Sequence, residues 1–278
     1  MKSYGFTLIE LIMVIMITGI IAASITLFLK PVIDGYVDTR RRSDLIDLAD
    51  TALRRIERDI RSAVPNSIRS VSTTCFQLVP TIAGGRYRMA SDTANDTPLP
   101  CLPSTTCSAP LDVTHTTTEF DVLSSLTTVP AQNDWIVIDN QNTDDIYAGT
   151  NRVQIIAAPS IPRVSDGLHR ITVTSFQFPS GYNGGRFVIV PNAEQTLFYN
   201  CVGNRLYRTV STFDADRSIS CALVNGAVVA TDVENCIFVY DPNHGSTQQS
   251  GFLWMRLELK RSDESIALSL GVHVDNAP

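Results

Sequence analysis

Glu10 is the residue whose chemistry most needs an explanation. It stands alone inside a run of about 24 almost wholly apolar residues, Phe6 to Leu29. A carboxylate in such surroundings costs several kcal/mol unless a partner reaches it, so it reads as functional by default. Six cysteines form the second reactive set: Cys75, Cys101, Cys107, Cys201, Cys221 and Cys236, all beyond that run. They contain no C-x-x-C pair and no Cys/His cluster with metal-ligand spacing. An even number therefore reads as disulfides formed in an oxidising compartment such as the periplasm. Three precede residue 110 and three follow residue 200, so full pairing requires at least one bridge from the early region to the late one. Cys101 and Cys107 can close a small loop; the remaining connectivity stays open.

Catalytic patterns do not emerge. His115, His169, His244 and His273 are scattered, without an evident Cys or Ser partner. The sequence has no G-x-S-x-G, no P-loop and no H-E-x-x-H. Gly84-Gly85-Arg86 and Gly184-Gly185-Arg186 repeat a doublet, but each reads as a tight turn whose Arg begins a strand. Asp139, Asn140, Asn142, Asp144 and Asp145 offer oxygens of the kind calcium takes, yet they lack the Gly and closing Glu of an EF-hand. The expectation is no metal and no cofactor. Trp135, Trp254, Phe176, Phe178, Phe187, Phe198, Phe238 and Tyr240 fall on strand-like runs and read as core. A net charge of −6 and a pI near 5.2 argue against a nucleic-acid partner, which needs clustered Lys and Arg.

The elements that carry these residues follow from periodicity. As a helix, Phe6–Leu29 measures ~36 Å, enough to cross a ~30 Å hydrocarbon core with some tilt. The run is too long for a secretory signal, and Ala22-Ala23-Ser24 is the nearest approach to an A-x-A cleavage site. Lys30 and Arg40-Arg41-Arg42 weakly favour the inside for the following segment, whereas the cysteines favour an oxidising exterior. Arg40 to Arg42 are also placed to touch lipid headgroups. Pro31 marks the exit from the membrane. From there to Val64, Leu45, Leu48, Ala49, Ala52, Leu53, Ile56 and Ile60 form the stripe of an amphipathic helix. Arg41, Asp44, Asp47, Arg54, Arg55, Glu57, Arg58, Asp59 and Arg61 fill its other face, and Pro65-Asn66 ends it. Too few heptads persist for a coiled coil.

Downstream, eleven runs read as strands: 75–79, 135–139, 153–157, 170–178, 186–190, 196–201, 205–209, 227–230, 236–240, 252–261 and 265–274. Turn signals separate them, including Gly203-Asn204 and Asp241-Pro242-Asn243. Residues 90–118, rich in Ser, Thr, Pro and Asp, read as a long loop stapled by Cys101 and Cys107. The fold class is therefore α+β: a long N-terminal helix, transmembrane then amphipathic, packed on a predominantly antiparallel sheet domain. The divisions are 1–5 as a leader, 6–29 as the transmembrane half-helix, 30–64 as the amphipathic half and 65–278 as the β-rich domain.

A short leader with Lys2, a Gly at its end, then Phe6-Thr7-Leu8-Ile9-Glu10 resembles the N-terminus of type IV prepilins. The resemblance implies that a prepilin peptidase cuts between Gly5 and Phe6 and N-methylates Phe6, and that Glu10 serves assembly. The physics agrees with that use. Cleavage leaves an ammonium on Phe6, and the Glu10 carboxylate of a neighbouring chain can neutralise it in low dielectric, which fixes axial register. Arg54 to Arg61, followed by Val64 to Arg69, is similar to the helix end of J-type pseudopilins and of minor pilin-like subunits of the mannose-sensitive haemagglutinin (MSHA) pilus system. Gly84–Arg88, His169–Ile171, Arg186–Val190 and Leu197–Arg208 fit the latter. The implied partners are the peptidase, other major and minor pilins or pseudopilins, the bacterial inner membrane and its assembly platform. The implied location is single-pass with a periplasmic domain, and the implied role is structural, not enzymatic.

Overall fold

The computed structural model describes residues 5–97, 101–180, 184–215, 221, 224–243 and 250–275. Helix α1 runs from Leu8 to Arg61, 54 residues, or ~81 Å. It passes through Pro31 without restarting. Proline forfeits one helical donor, here to the Leu27 carbonyl, and the bonds on either side keep the helix going. Leu45, Ala49, Ala52, Leu53, Ile56 and Ile60 are buried, the recurrence that puts them on one face. Exposed Arg54–Asp50 and Arg61–Glu57 pairs, one helical turn apart, line the outside.

Fourteen strands follow among the described residues: β1 Arg69–Ser72, β2 Cys75–Leu78, β3 Ala83–Arg86, β4 Thr117–Val122, β5 Trp135–Val137, β6 Arg152–Gln154 and β7 His169–Phe176. After them come β8 Arg186–Val190, β9 Thr196–Val202, β10 Arg205–Ser211, β11 Ala227–Thr231, β12 Val233–Asp241, β13 Ser250–Arg261 and β14 Glu264–Asp275. All ladders are antiparallel. One core unites the buried face of α1 with the sheets β1-β2-β9-β10-β11 and β12-β13-β14. The helix lies chiefly on β13 and β14.

A second core belongs to an insertion. β2 and β9 are neighbours, with Leu78 opposite Leu197, so the chain between them leaves and returns at one place. In that excursion the sheets β3-β8-β5-β6 and β4-β7 enclose Phe120, Ile136, Ile171, Phe187 and Ile189. Val64, Val79, Val137, Ile146, Tyr147 and Val190 join the lobes at the far end of α1. Arg69 clasps this junction: its guanidinium lies 3.7 Å above the Tyr147 ring and donates to Gln77 Oε1 at 2.6 Å and to the Asp214 carbonyl at 2.8 Å.

Three strands depart from the sequence reading. β1 and β4 lie where weak alternation and the polar loop hid them, so the loop ends before Thr117 rather than at Thr118. Gly84 and Gly85 sit inside β3 rather than in a turn. A Cβ there would crowd the Phe187 carbonyl at Gly84 and collide with the Ser124 hydroxyl at Gly85. The second doublet behaves as expected: Gly184 and Gly185 take φ of 52° and 73°, and Arg186 opens β8.

Disulfides join Cys75 to Cys221, Cys101 to Cys107 and Cys201 to Cys236. The first spans 146 residues and bridges early to late chain; the third ties the two sheets of the helix-bearing lobe. The loop is stapled at 101–107 and is also held by buried ion pairs. Buried Asp96 accepts from the Ser108 backbone N–H at 3.0 Å and from Arg163 at 2.6 Å, and Arg163 also grips Asp166. Arg170 holds Asp121 with two bonds, at 2.6 and 2.9 Å, and donates to the Cys107 carbonyl at 2.8 Å.

Two outcomes follow. Asp121→Ala leaves the Arg170 charge buried and unpaired, and should cost ~3–5 kcal/mol, read as a lowered denaturant midpoint. The bond from the Ser108 hydroxyl, with help from Arg163, lowers the Asp96 pKa to about 2. The native carboxyl thus binds its proton less tightly than the unfolded one. Its stabilisation is complete above about pH 4 and fades as pH falls through the native value. Asp96→Asn should therefore flatten the loss of stability measured between those two points.

Candidate processing and assembly segment

Gly5, Phe6 and Thr7 precede the helix, and Thr7 is extended. Glu10 falls in the first turn, where its N–H donates to the Thr7 carbonyl at 3.1 Å. The carboxylate therefore sits at the positive end of the helix dipole, which favours it modestly. Met1–Tyr4, including Lys2, lie outside the described residues. Every residue from Gly5 to Val37 is exposed; Phe6 is 79% and Leu8 78% exposed. The first fully buried helix residue is Leu45. Among the described residues nothing covers this apolar surface.

Such a surface belongs in lipid or against other helices. Among the described residues α1 is one helix long and apolar enough to cross a membrane. Its polar side chains fit that solvent. Thr18, Ser24 and Thr26 return their hydroxyls to carbonyls one turn back, at 2.7 to 2.9 Å, so no donor is stranded in hydrocarbon. Among the described residues Glu10 has no such local solution. The apolar part, up to Leu29, is ~33 Å long within the helix, close to a ~30 Å core, and Lys30 and Asp34 mark the change to polar residues beyond it.

The domain is fastened to this rod by a group that the sequence reading placed on the solvent face. Asp59 instead turns towards the sheet, accepting from the Tyr199 hydroxyl at 2.7 Å and from Arg208 Nε at 2.8 Å. Arg208 also makes a two-pronged pair with Glu194, at 3.0 and 2.9 Å. Burial pushes the Tyr199 phenol up, and Asp59 adds to the shift; Glu194 and Asp59 raise the Arg208 pKa against desolvation. Asp59 adjoins the buried Ile60 but sits among charged neighbours on the helix, so its place in the sequence does not distinguish it.

The other candidates do not converge. His115 is exposed beside Asp112, His169 opens β7, His273 lies on β14, and His244 is outside the described residues. Gln141 donates to Asp139, Asn142 to Asp145 and Arg69 to Asp144. Among the described residues no group of three or more His, Cys, Asp or Glu can hold a metal ion.

A lone acidic group near the start of an exposed apolar rod, with antiparallel sheets packed on the rod's second part, defines a pilin-like α+β architecture. Residues 1–26 match the family model described as the prokaryotic N-terminal methylation motif, the signature of type IV prepilin-like chains. No curated protein and no solved structure matches the chain.

Asp59→Ala removes the acceptor shared by two donors and should cost on the order of 2–3 kcal/mol. In thermal unfolding the loss should be shared by Tyr199→Phe only in part, because Arg208 then keeps its carboxylate.

Proposed function

We propose that this chain is a minor pilin or pseudopilin subunit, made as a precursor and anchored in the bacterial inner membrane with residues 65–278 in the periplasm. The carrying observation is Glu10, an acidic group with no partner on its own helix, at the head of a fully exposed apolar rod. In this reading prepilin peptidase cuts between Gly5 and Phe6 and N-methylates the new terminus. The Phe6 ammonium of one subunit then meets the Glu10 carboxylate of another as the rods bundle. The disulfides support the periplasmic side, since thiols stay reduced in the cytosol. Within the type IV systems, the phrases named above favour a subunit resembling MshO, in a priming or tip complex of an MSHA-type pilus. Its partners would be the other major and minor pilins and the assembly platform. The helix-end phrase Arg54 to Arg69 also favours a second reading, a J-type pseudopilin of a type II secretion system. A surface adhesin on a pilin anchor is the third use of the same scaffold.

Edman sequencing or mass spectrometry of the mature chain should find N-methylated Phe6 first; a start at Met1, or beyond Ala23, defeats the reading. Glu10→Ala should be cleaved normally yet fail to enter filaments, measured as loss from the sheared pilus fraction. Deletion should reduce piliation for the MSHA reading and exoprotein export for the secretion reading.

A further inference from the structure

The Gly-Gly-Arg doublet that occurs twice in the sequence is brought together by the fold. In the β3–β8 ladder Arg86 lies directly opposite Arg186, and Gly85 opposite Phe187. The Tyr87 N–H donates to the Gly185 carbonyl at 2.7 Å. The arginine pair is therefore the closer, non-hydrogen-bonded kind of antiparallel pair. Residues so related share one face, with Cβ atoms about 4.5–5.5 Å apart. Both arginines are exposed, and among the described residues neither guanidinium has an ion pair or a side-chain hydrogen bond. Asp139 lines a cleft with Arg186, Val64, Pro65 and Val188. Its carboxylate accepts from Gln141 Nε2, at 3.1 Å to each oxygen, and does not pair with Arg186.

Like charges directly opposite one another destabilise a ladder. The local backbone nevertheless holds both in place. Gly85 admits no side chain beside Ser124, whose hydroxyl accepts the Arg86 N–H at 2.9 Å. The left-handed Gly184 and Gly185 start β8 at Arg186 and no later. Two arginines paired on one face can both reach one oxyanion, and each guanidinium fork offers it two N–H donors. We propose that Arg86 and Arg186 form a seat for a sulfate- or phosphate-type oxyanion, either free or carried as an ester on a polysaccharide. The seat does not depend on the pilin reading.

The test uses the full chain in detergent micelles, with the unfolding midpoint followed against inorganic sulfate at constant ionic strength set by chloride. The wild type should show a saturable rise at low millimolar sulfate. R86Q and R186Q should weaken the apparent affinity by roughly tenfold or more, a loss of about 1.4 kcal/mol, and R86K with R186K should retain part of it. Sulfate also strengthens burial generally, so the difference between wild type and variants is the readout. Without sulfate, R186Q should unfold at the wild-type temperature or above, because one repelling charge is gone; a folding defect would lower it. Retention on dextran sulfate but not dextran, competed by inorganic sulfate, identifies the ester; a response to inorganic sulfate alone identifies the free ion. Equal responses in wild type and in R86Q/R186Q overturn the proposal.

Discussion

A single helix has to satisfy two solvents, and the rest of the molecule is arranged around that demand. Its first part, to Leu29, is apolar almost all round and exposed, while from Leu45 onward one face is sealed against a sheet. The change from all-round to one-sided hydrophobicity is what separates lipid-facing from domain-facing helix. Hydroxyls between Phe6 and Leu29 bond back to their own carbonyls, so in that apolar run Glu10 is the one charged group. A carboxylate without a local partner in apolar surroundings is costly, and in the proposed function a cation-bearing neighbour offsets that cost.

The domain end has the opposite character. There, several buried charges are paired, and they hold the chain where regular structure does not. Arg163 and Arg170, with Asp96, Asp121 and Asp166, pin a long irregular segment to the inserted lobe. Asp59 and Tyr199, with Arg208, fasten the helix to its sheet. Buried ions of this kind are weak sources of net stability but exacting in geometry, because a misplaced partner leaves a charge without water.

The inserted lobe adds a second core without disturbing the first. Since β2 and β9 pair directly, the excursion between them can grow while the helix-bearing sheets keep their register. The lobe joins at Val64, the end of α1 remote from the apolar segment. Arg86 and Arg186 stand exposed on its junction side, in contrast to the interior arginines, each of which is matched by an acid or a carbonyl.

Local pattern determined a great deal. The apolar run, the amphipathic stripe, eleven strands and the isolation of Glu10 all follow from spacing, since helices and strands repeat with different periods along the chain. Periodicity cannot report which segments meet. Glycines in β3 read as a turn because only the approach of Phe187 and Ser124 reveals why side chains are missing there. Asp59 looks like its solvated neighbours until Tyr199 and Arg208, some 140 and 149 residues away, turn towards it. The pairing of Cys75 with Cys221, and the meeting of Arg86 with Arg186, are likewise matters of tertiary register. The sequence by itself decided which solvent each segment prefers; only the folded chain decided the partners of its charges and thiols, because those contacts act across space rather than along the chain.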